Sequence, residues 1–139
     1  MHLQLNDTKK PHLVPFSKIG SSPLGFITVA EDLPFEIKRV YWTYYTPHEV
    51  IRGQHAHKAL EQFIFAVSGS IKLELEDLKG NKATFILDSP EIGLYIPPLH
   101  WRTIQFSHNA VLLCLASMPY EEADYIRSYS DFKNGNYNL

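Results

Sequence analysis

Two histidines, His55 and His57, stand two residues apart in the run Arg52-Gly-Gln-His-Ala-His-Lys58. Residues two apart on a strand share a face, so both imidazoles project to one side, which in a closed sheet can be the interior. A histidine with a pKa near 6.5 accepts and returns protons near neutrality; correctly placed, it contributes on the order of 10² to 10⁴-fold to a rate. Arg52 and Arg102 would add permanent donors for an oxyanion or a phosphate. Such a set suits carrying a carbon-bound proton through an enediolate. The plainer alternative is a pair of solvent-facing strand histidines. Gly53, the turn glycine Gly69 and the segment Tyr95-Ile-Pro-Pro98 ahead of Trp101-Arg102 favour a built site instead.

The elements around this pair read as strands. Short alternating runs, separated by turn residues at roughly eight-to-twelve-residue spacing, point to a sandwich or barrel. Predicted strands are Gly25 to Ala30, Ile37 to Tyr45, Arg52 to His57, Gln62 to Val67, Ile71 to Glu76, Lys82 to Leu87, Gly93 to Ile96, Trp101 to Phe106 and Val111 to Ala116. Ser68-Gly-Ser70, Lys79-Gly-Asn81, Asp88-Ser-Pro90 and Ser107-His-Asn109 supply the turns, and residues 20–23 read as a loop. Ile71, Leu73 and Leu75 alternate with Lys72, Glu74 and Glu76, giving one buried and one wet face. The predicted helix is a short piece near Pro119 to Tyr125, where Glu121 and Glu122 suit a first turn. The polar tail after Phe132 is expected to fray.

The chain has 139 residues, 45% of them hydrophobic, enough for one packed domain and too few for two, so a single domain over residues 1–139 is expected. A net charge of -2, with no basic cluster beyond Lys9-Lys10, argues against a nucleic-acid partner. No long apolar run and no apolar stretch near the start point to a membrane span or a secretory signal, so a cytoplasmic location is expected. Cys114, the single cysteine, lies in Ala-Val-Leu-Leu-Cys-Leu-Ala-Ser and reads as a core residue.

The histidine pair and the proline-rich turn resemble the two cupin motifs, which carry His-x-His, then a glutamate, then a third histidine as metal ligands. Here the glutamate position falls on Gln62 and the third histidine position on Arg102. Arginine is never deprotonated and cannot coordinate a metal. A shifted set using Glu61 and His100 satisfies the ligand types, although Glu61 has the wrong parity for the strand. The reading is therefore metal-free acid-base chemistry.

A closer resemblance covers Ile37 to Phe132. It rests on Ile37-Lys-Arg-Val-Tyr41, Arg52-Gly-Gln-His-Ala-His-Lys58, Leu87-Asp-Ser-Pro90 with Gly93-Leu-Tyr95, Leu115-Ala-Ser117 and Asp124-Tyr-Ile-Arg127. These resemble the sugar 3,4-ketoisomerases, the WxcM-like group acting on dTDP-4-keto-6-deoxyglucose. The resemblance implies an all-β, cupin-type (RmlC-like) jelly-roll barrel that needs neither metal nor cofactor. It implies conversion of the 4-keto sugar to a 3-keto sugar, with His55 and His57 as the acid-base pair and Tyr41 and Arg52 lining the site. Arg102 stands where members carry His or Arg, the arginine type resembling enzymes that give the gluco product. Before the glycine of an early strand, members tend to carry Arg or Tyr; this chain has Leu24, which leaves epimer choice open. A homodimer is implied, with His12 to Phe16 either an exchanged strand or an ordinary first strand.

Tyr41 and Trp101 are expected at the cavity, where a ring can stack on a base or sugar. Tyr95 is carried as a further binding candidate, and Arg52, Lys58, Arg102 and Arg127 are candidates for the diphosphate. Two other classes compete: a cupin that binds a nucleotide sugar without turning it over, and a metal-dependent cupin enzyme. A 3,5-epimerase shares the barrel and a histidine base, but the quoted motifs do not resemble it.

Overall fold

The computed structural model describes residues 10–139. Residues 1–9, which hold Lys9 and most of the start read for a secretory signal, lie outside the described residues. In chain order the elements are β1 (His12–Pro15), β2 (Ile19–Ser21), β3 (Gly25–Ile27), β4 (Arg39–Thr43), β5 (Ile51–His57) and β6 (Gln62–Ser68). They continue as β7 (Ile71–Glu76), β8 (Lys82–Leu87), β9 (Ile92–Ile96), β10 (Trp101–Phe106), β11 (Val111–Ala116), β12 (Tyr125–Ile126) and helix α1 (Tyr129–Asn134).

Two five-stranded antiparallel sheets form, in the orders β1-β9-β6-β11-β4 and β12-β5-β10-β7-β8. The pairs β7 with β8, β6 with β9, β5 with β10 and β4 with β11 are nested, so the chain folds back on itself as a double ribbon. That ribbon, rolled so that β6 also meets β11 and β7 also meets β10, is a jelly roll. Between the sheets lie Ile64, Ile71, Leu73, Leu94, Ile104 and Leu112, all buried. Each such side chain contributes about 1.5–3 kcal/mol by leaving water.

On the outer face of the second sheet, β7 shows the expected alternation of buried Ile71, Leu73 and Leu75 with exposed Lys72 and Glu74. The expected wet Glu76 is instead buried where α1 covers the sheet, bonded to Tyr129 and Lys133. The first sheet is apolar on both faces: Phe63, Phe65, Tyr95 and Leu115 point outward and are covered by Val14, Phe16 and Phe35. β1 pairs with β9 of its own chain, Val14 opposite Gly93. Strand limits differ from expectation mainly at the N-terminal side. Residues 19–27 form a separate β2–β3 hairpin that takes in part of the expected loop, and β4 is trimmed to five residues.

Helix forms later than the sequence pattern suggests. Residues 122–124 make one 3-10 turn whose N-cap, Glu121, offers no side-chain cap. The Asp124 carboxylate is committed elsewhere, and the next residues extend to pair with β5. The α-helix is Tyr129–Asn134, where Ser128 caps the Asp131 N–H and Gly135 closes the C-terminus in the left-handed conformation. The tail is tied rather than frayed: Asn136 bonds Asp131 through both backbone and side chain, and Tyr137 packs on the Ala56–Ile126–Phe132 cluster.

Candidate active site

Strand β5 carries both histidines, and the way it meets β10 decides where they point. Arg102 pairs with His55 and Thr103 with Gly53, which leaves Gln54 as an inserted residue. Gly53 and Gln54 both have positive φ, 80° and 56°, the mark of a bulge. Arg52 and His55 are three apart and would face opposite sides of a regular strand. The bulge sets them opposite Ile104 and Arg102, which share the inner face of β10. Gly53 is required here on two counts, because a Cβ would sit 2.9 Å from the Arg102 carbonyl oxygen and 3.1 Å from its Cγ.

The rings of His55 and His57 then meet edge to face, centroids 4.8 Å apart. His55 donates through Nδ1 to the Gly53 carbonyl at 2.9 Å, and His57 through Nδ1 to Asp124 Oδ2 at 3.0 Å. Both donations leave Nε2 as the basic nitrogen. Asp124 is itself buried and pinned, its Oδ1 accepting the Ala59 N–H at 2.7 Å while its backbone carbonyl accepts from Lys58. A histidine oriented by a buried carboxylate is the arrangement of a general base.

Burial, reinforced by the Arg102 charge, pushes His55 down to about 4. Burial, then Arg102, then the neighbouring His55, holds His57 far below the ordinary imidazole range. Both rings are therefore neutral at neutral pH, able to take a proton. Asp124 orients His57 and gives the imidazolium a partner once it forms.

Arg102 is 1% exposed yet charged, its pKa pushed down to about 10 by burial. Its Nη1 donates to Gln62 Oε1 and its Nη2 to the His100 carbonyl at 3.1 Å, while Nε has no partner. Gln62 donates in turn to Tyr41 Oη at 3.1 Å and to Cys114 Sγ at 3.3 Å. The two positions where a cupin would carry its glutamate and third histidine are thus bonded to each other. The shifted set does not converge either, because the Glu61 carboxylate accepts from Tyr95 Oη at 2.6 Å on the outer face of the first sheet. Among the described residues no cluster of three or more His, Cys, Asp or Glu forms. Burial lifts the Tyr41 phenol above its usual range, so it stays protonated. Cys114 is a fully buried thiol in the core, as its neighbours implied.

The structure thus brings together His55, His57, Tyr41 and Arg102. Other candidates fall elsewhere. Trp101 lies on the opposite face of β10 from Arg102, its ring against Tyr129 and Phe132 of α1, because adjacent strand residues alternate. Tyr95 likewise faces outward, against Phe63 and His12, with Leu94 and Ile96 taking the inner face. Arg52 is exposed, and Lys58 is half-buried just past the end of β5. Arg127 stacks over the Tyr125 ring at 4.0 Å, and its Nε and Nη2 donate to Glu122 at 2.7 and 2.8 Å. Leu24 is 91% exposed on the β2–β3 hairpin.

Sequence reasoning assigned no role to Asp124 or Tyr125. The β12 arm lays Tyr125 beside both histidines, ring centroids 5.0 Å from His55 and 4.4 Å from His57. The signal was present, since both residues open the quoted Asp-Tyr-Ile-Arg motif, but nothing in the sequence says that it pairs with β5.

With this geometry in view, the comparisons are decisive. The family model described as FdtA, WxcM-like, C-terminal matches residues 7–136. The chain belongs to the WxcM-like family. It is 43% identical over 125 residues, 87% of this chain and 88% of the relative, to the TDP-4-oxo-6-deoxy-alpha-D-glucose-3,4-oxoisomerase of Aneurinibacillus thermoaerophilus. Its fold matches QdtA, a sugar 3,4-ketoisomerase from Thermoanaerobacterium thermosaccharolyticum solved with TDP, with a TM-score of 0.85 and 38% identity. That match covers 90% of this chain and 93% of the other. It also matches the TDP-quinovose 3,4-ketoisomerase WlaRB of Campylobacter jejuni, with a TM-score of 0.84 and 41% identity over 91% of this chain and 98% of the other. No helix among the described residues is long and apolar enough to cross a membrane.

Proposed function

We propose that this protein isomerises dTDP-4-keto-6-deoxyglucose to the dTDP-3-keto-6-deoxyhexose by proton transfer between C3 and C4. The observation that carries the reading is the neutral His57, oriented by Asp124, beside the buried guanidinium of Arg102. Three family members that align over most of the chain are named as enzymes of this reaction class.

The residues divide the work as follows. His57 Nε2 takes the proton from C3; the electron pair of that bond forms the C3–C4 double bond and leaves the negative charge on O4. Arg102 stabilises this enediolate, its buried charge little screened by water. His55 moves the hydroxyl proton from O3 to O4, and a proton returned to C4 completes the 3-ketone. The sum is an isomerisation with no net gain or loss of protons or electrons. Tyr41, protonated and fixed by Gln62, lines the floor.

The face of C4 that receives the proton sets the product. Arg102 in place of histidine favours the gluco epimer, and the likeness to an enzyme named for quinovose, which is 6-deoxyglucose, supports it. The working unit is a homodimer. In its favour, Val40, Trp42 and Val67 of the first sheet are exposed, as is Phe26 on the hairpin. A groove of about 480 Å³ between hairpin and sheet is lined by Phe26, Phe65, Leu113 and Leu115.

Proton NMR of the protein with dTDP-4-keto-6-deoxyglucose in deuterated water tests the reading. A 3-keto product with the gluco configuration at C4, deuterated at C4, is expected. Binding of dTDP without product or exchange at C3 would instead indicate a nucleotide-sugar-binding module, and a galacto product would overturn the role given to Arg102.

A further inference from the structure

Glu76 is a carboxylate with no part in the proton transfers, and it is buried outside the cavity. It ends β7 directly opposite Trp101 of β10. Helix α1 lies over it: Tyr129 Oη donates between its two oxygens, at 2.8 and 3.0 Å, and Lys133 Nζ donates to Oε2 at 2.6 Å. Burial alone would raise the Glu76 pKa, but the bonds from Lys133 and Tyr129 outweigh it and hold the group below the usual carboxylate range, so it is ionised. Among the described residues, the hydrogen bonds that tie α1 to the sheets all end on Glu76.

The apolar side of α1 touches the back of the strands that carry the site. Phe132, fully buried, packs with Ala56 of β5 and Ile126 of β12. Trp101 meets the rings of Tyr129 and Phe132 at centroid distances of 5.4 and 5.9 Å. Strand residues alternate faces, so each of these contacts is the reverse side of a site residue. Ala56 stands between His55 and His57, Trp101 precedes Arg102, and Ile126 follows Tyr125. A displacement of α1 is therefore passed through the backbone to both imidazoles, the guanidinium and the ring beside them. Apolar contact is non-directional, so Phe132 gives the helix its depth without fixing its position along the sheet. The bonds to Glu76 fix that position.

We propose that Glu76 is a positioning residue for the reaction, fastening α1 against the sheet so that the helix holds His55, His57 and Arg102 in place from behind. The inference rests on the isomerase reading for its kinetic consequence; a spectroscopic consequence is independent of turnover.

Glu76→Gln, Lys133→Met and the double variant are compared with the wild type by steady-state kinetics, calorimetric titration with dTDP and thermal melting. Proton NMR follows the His57 Nδ1–H, identified by its absence in His57→Asn. Glu76→Gln keeps the volume and an acceptor for Tyr129, which spares the fold. Well below the melting temperature, kcat should fall about tenfold in each single variant, with KM and dTDP affinity within about twofold of the wild type. The double variant should lose no more than the worse single one, because both partners act through one contact. The His57 resonance should shift or broaden in step, as its bond to Asp124 loses its fixed geometry. A helix clamp with no part in the reaction would lower the melting temperature, leave kcat per folded molecule within about twofold and leave the resonance unmoved, which overturns the proposal. So does a kcat loss that multiplies in the double variant or that leaves the resonance in place. If the wild type binds dTDP but never turns over, the isomerase reading falls and the His57 resonance alone decides for or against Glu76.

Discussion

The two ends of the barrel are built on the same strands and could hardly differ more. Going inward along β10 the buried side chains are Arg102, Ile104 and Phe106; along β6 they are Gln62, Ile64 and Ala66. One end collects a cation, an amide and a phenol bonded to one another, with two imidazoles beside them. The other is hydrocarbon. The alternation that makes a strand amphipathic across its width says nothing about polarity along its length, and that second gradient is where function resides. The apolar end bears the cost of folding, so the polar end can hold two neutral histidines and a buried arginine with an unmet donor.

The largest expected effect on this comparison comes from the apolar end. Phe106→Ala should destabilise the fold by about 3–5 kcal/mol in chemical denaturation, with kcat per folded molecule unchanged. A large drop in kcat without loss of stability would mean that the two ends are not separable. Next, Asp124→Asn at the polar end should lower kcat by on the order of 10²-fold, with dTDP affinity preserved, because His57 loses its orienting acceptor. Steady-state kinetics beside calorimetry would check it.

Acid sharpens the contrast further. Burial holds the folded-state pKa of His55 near 4 and that of His57 well down, below the value near 6.5 of an unfolded chain. The unfolded state therefore binds more protons between those values, so stability is complete above about pH 6.5 and is lost as pH falls towards 4. Melting temperature should decline over that window, and less steeply in His55→Asn. An equal slope in the variant would remove His55 from the account. Smallest of all, Glu122→Gln breaks an exposed pair that solvent screens, so melting should barely change. Freed from Glu122, Arg127 should bind dTDP somewhat more tightly.

Much of this architecture was legible because it obeys period two. The nine expected strands from Gly25 to Ala116 all exist, with moved ends, and parity alone brings His55 and His57 onto one face. Trp101 and Tyr95 lie off the cavity because strand parity, and not closeness to the motif, decides which face a side chain takes. The Gly53–Gln54 bulge that shifts β5 against β10 has no signature beyond the glycine. Asp124 reaches His57 across 67 residues through an arm that resembles the start of a helix. Its acidic residues suit a first turn, but the pairing with β5 is tertiary and overrides that preference.

The central claim is that His57 is the base. Wash-in of solvent deuterium at C3 of dTDP-4-keto-6-deoxyglucose, followed by NMR for the wild type and His57→Asn at matched dTDP occupancy, tests it most directly. The account expects exchange and product to fall together by on the order of 10² to 10⁴-fold, with dTDP binding intact. Exchange continuing within about tenfold of the wild-type rate would place the base on another residue and contradict it.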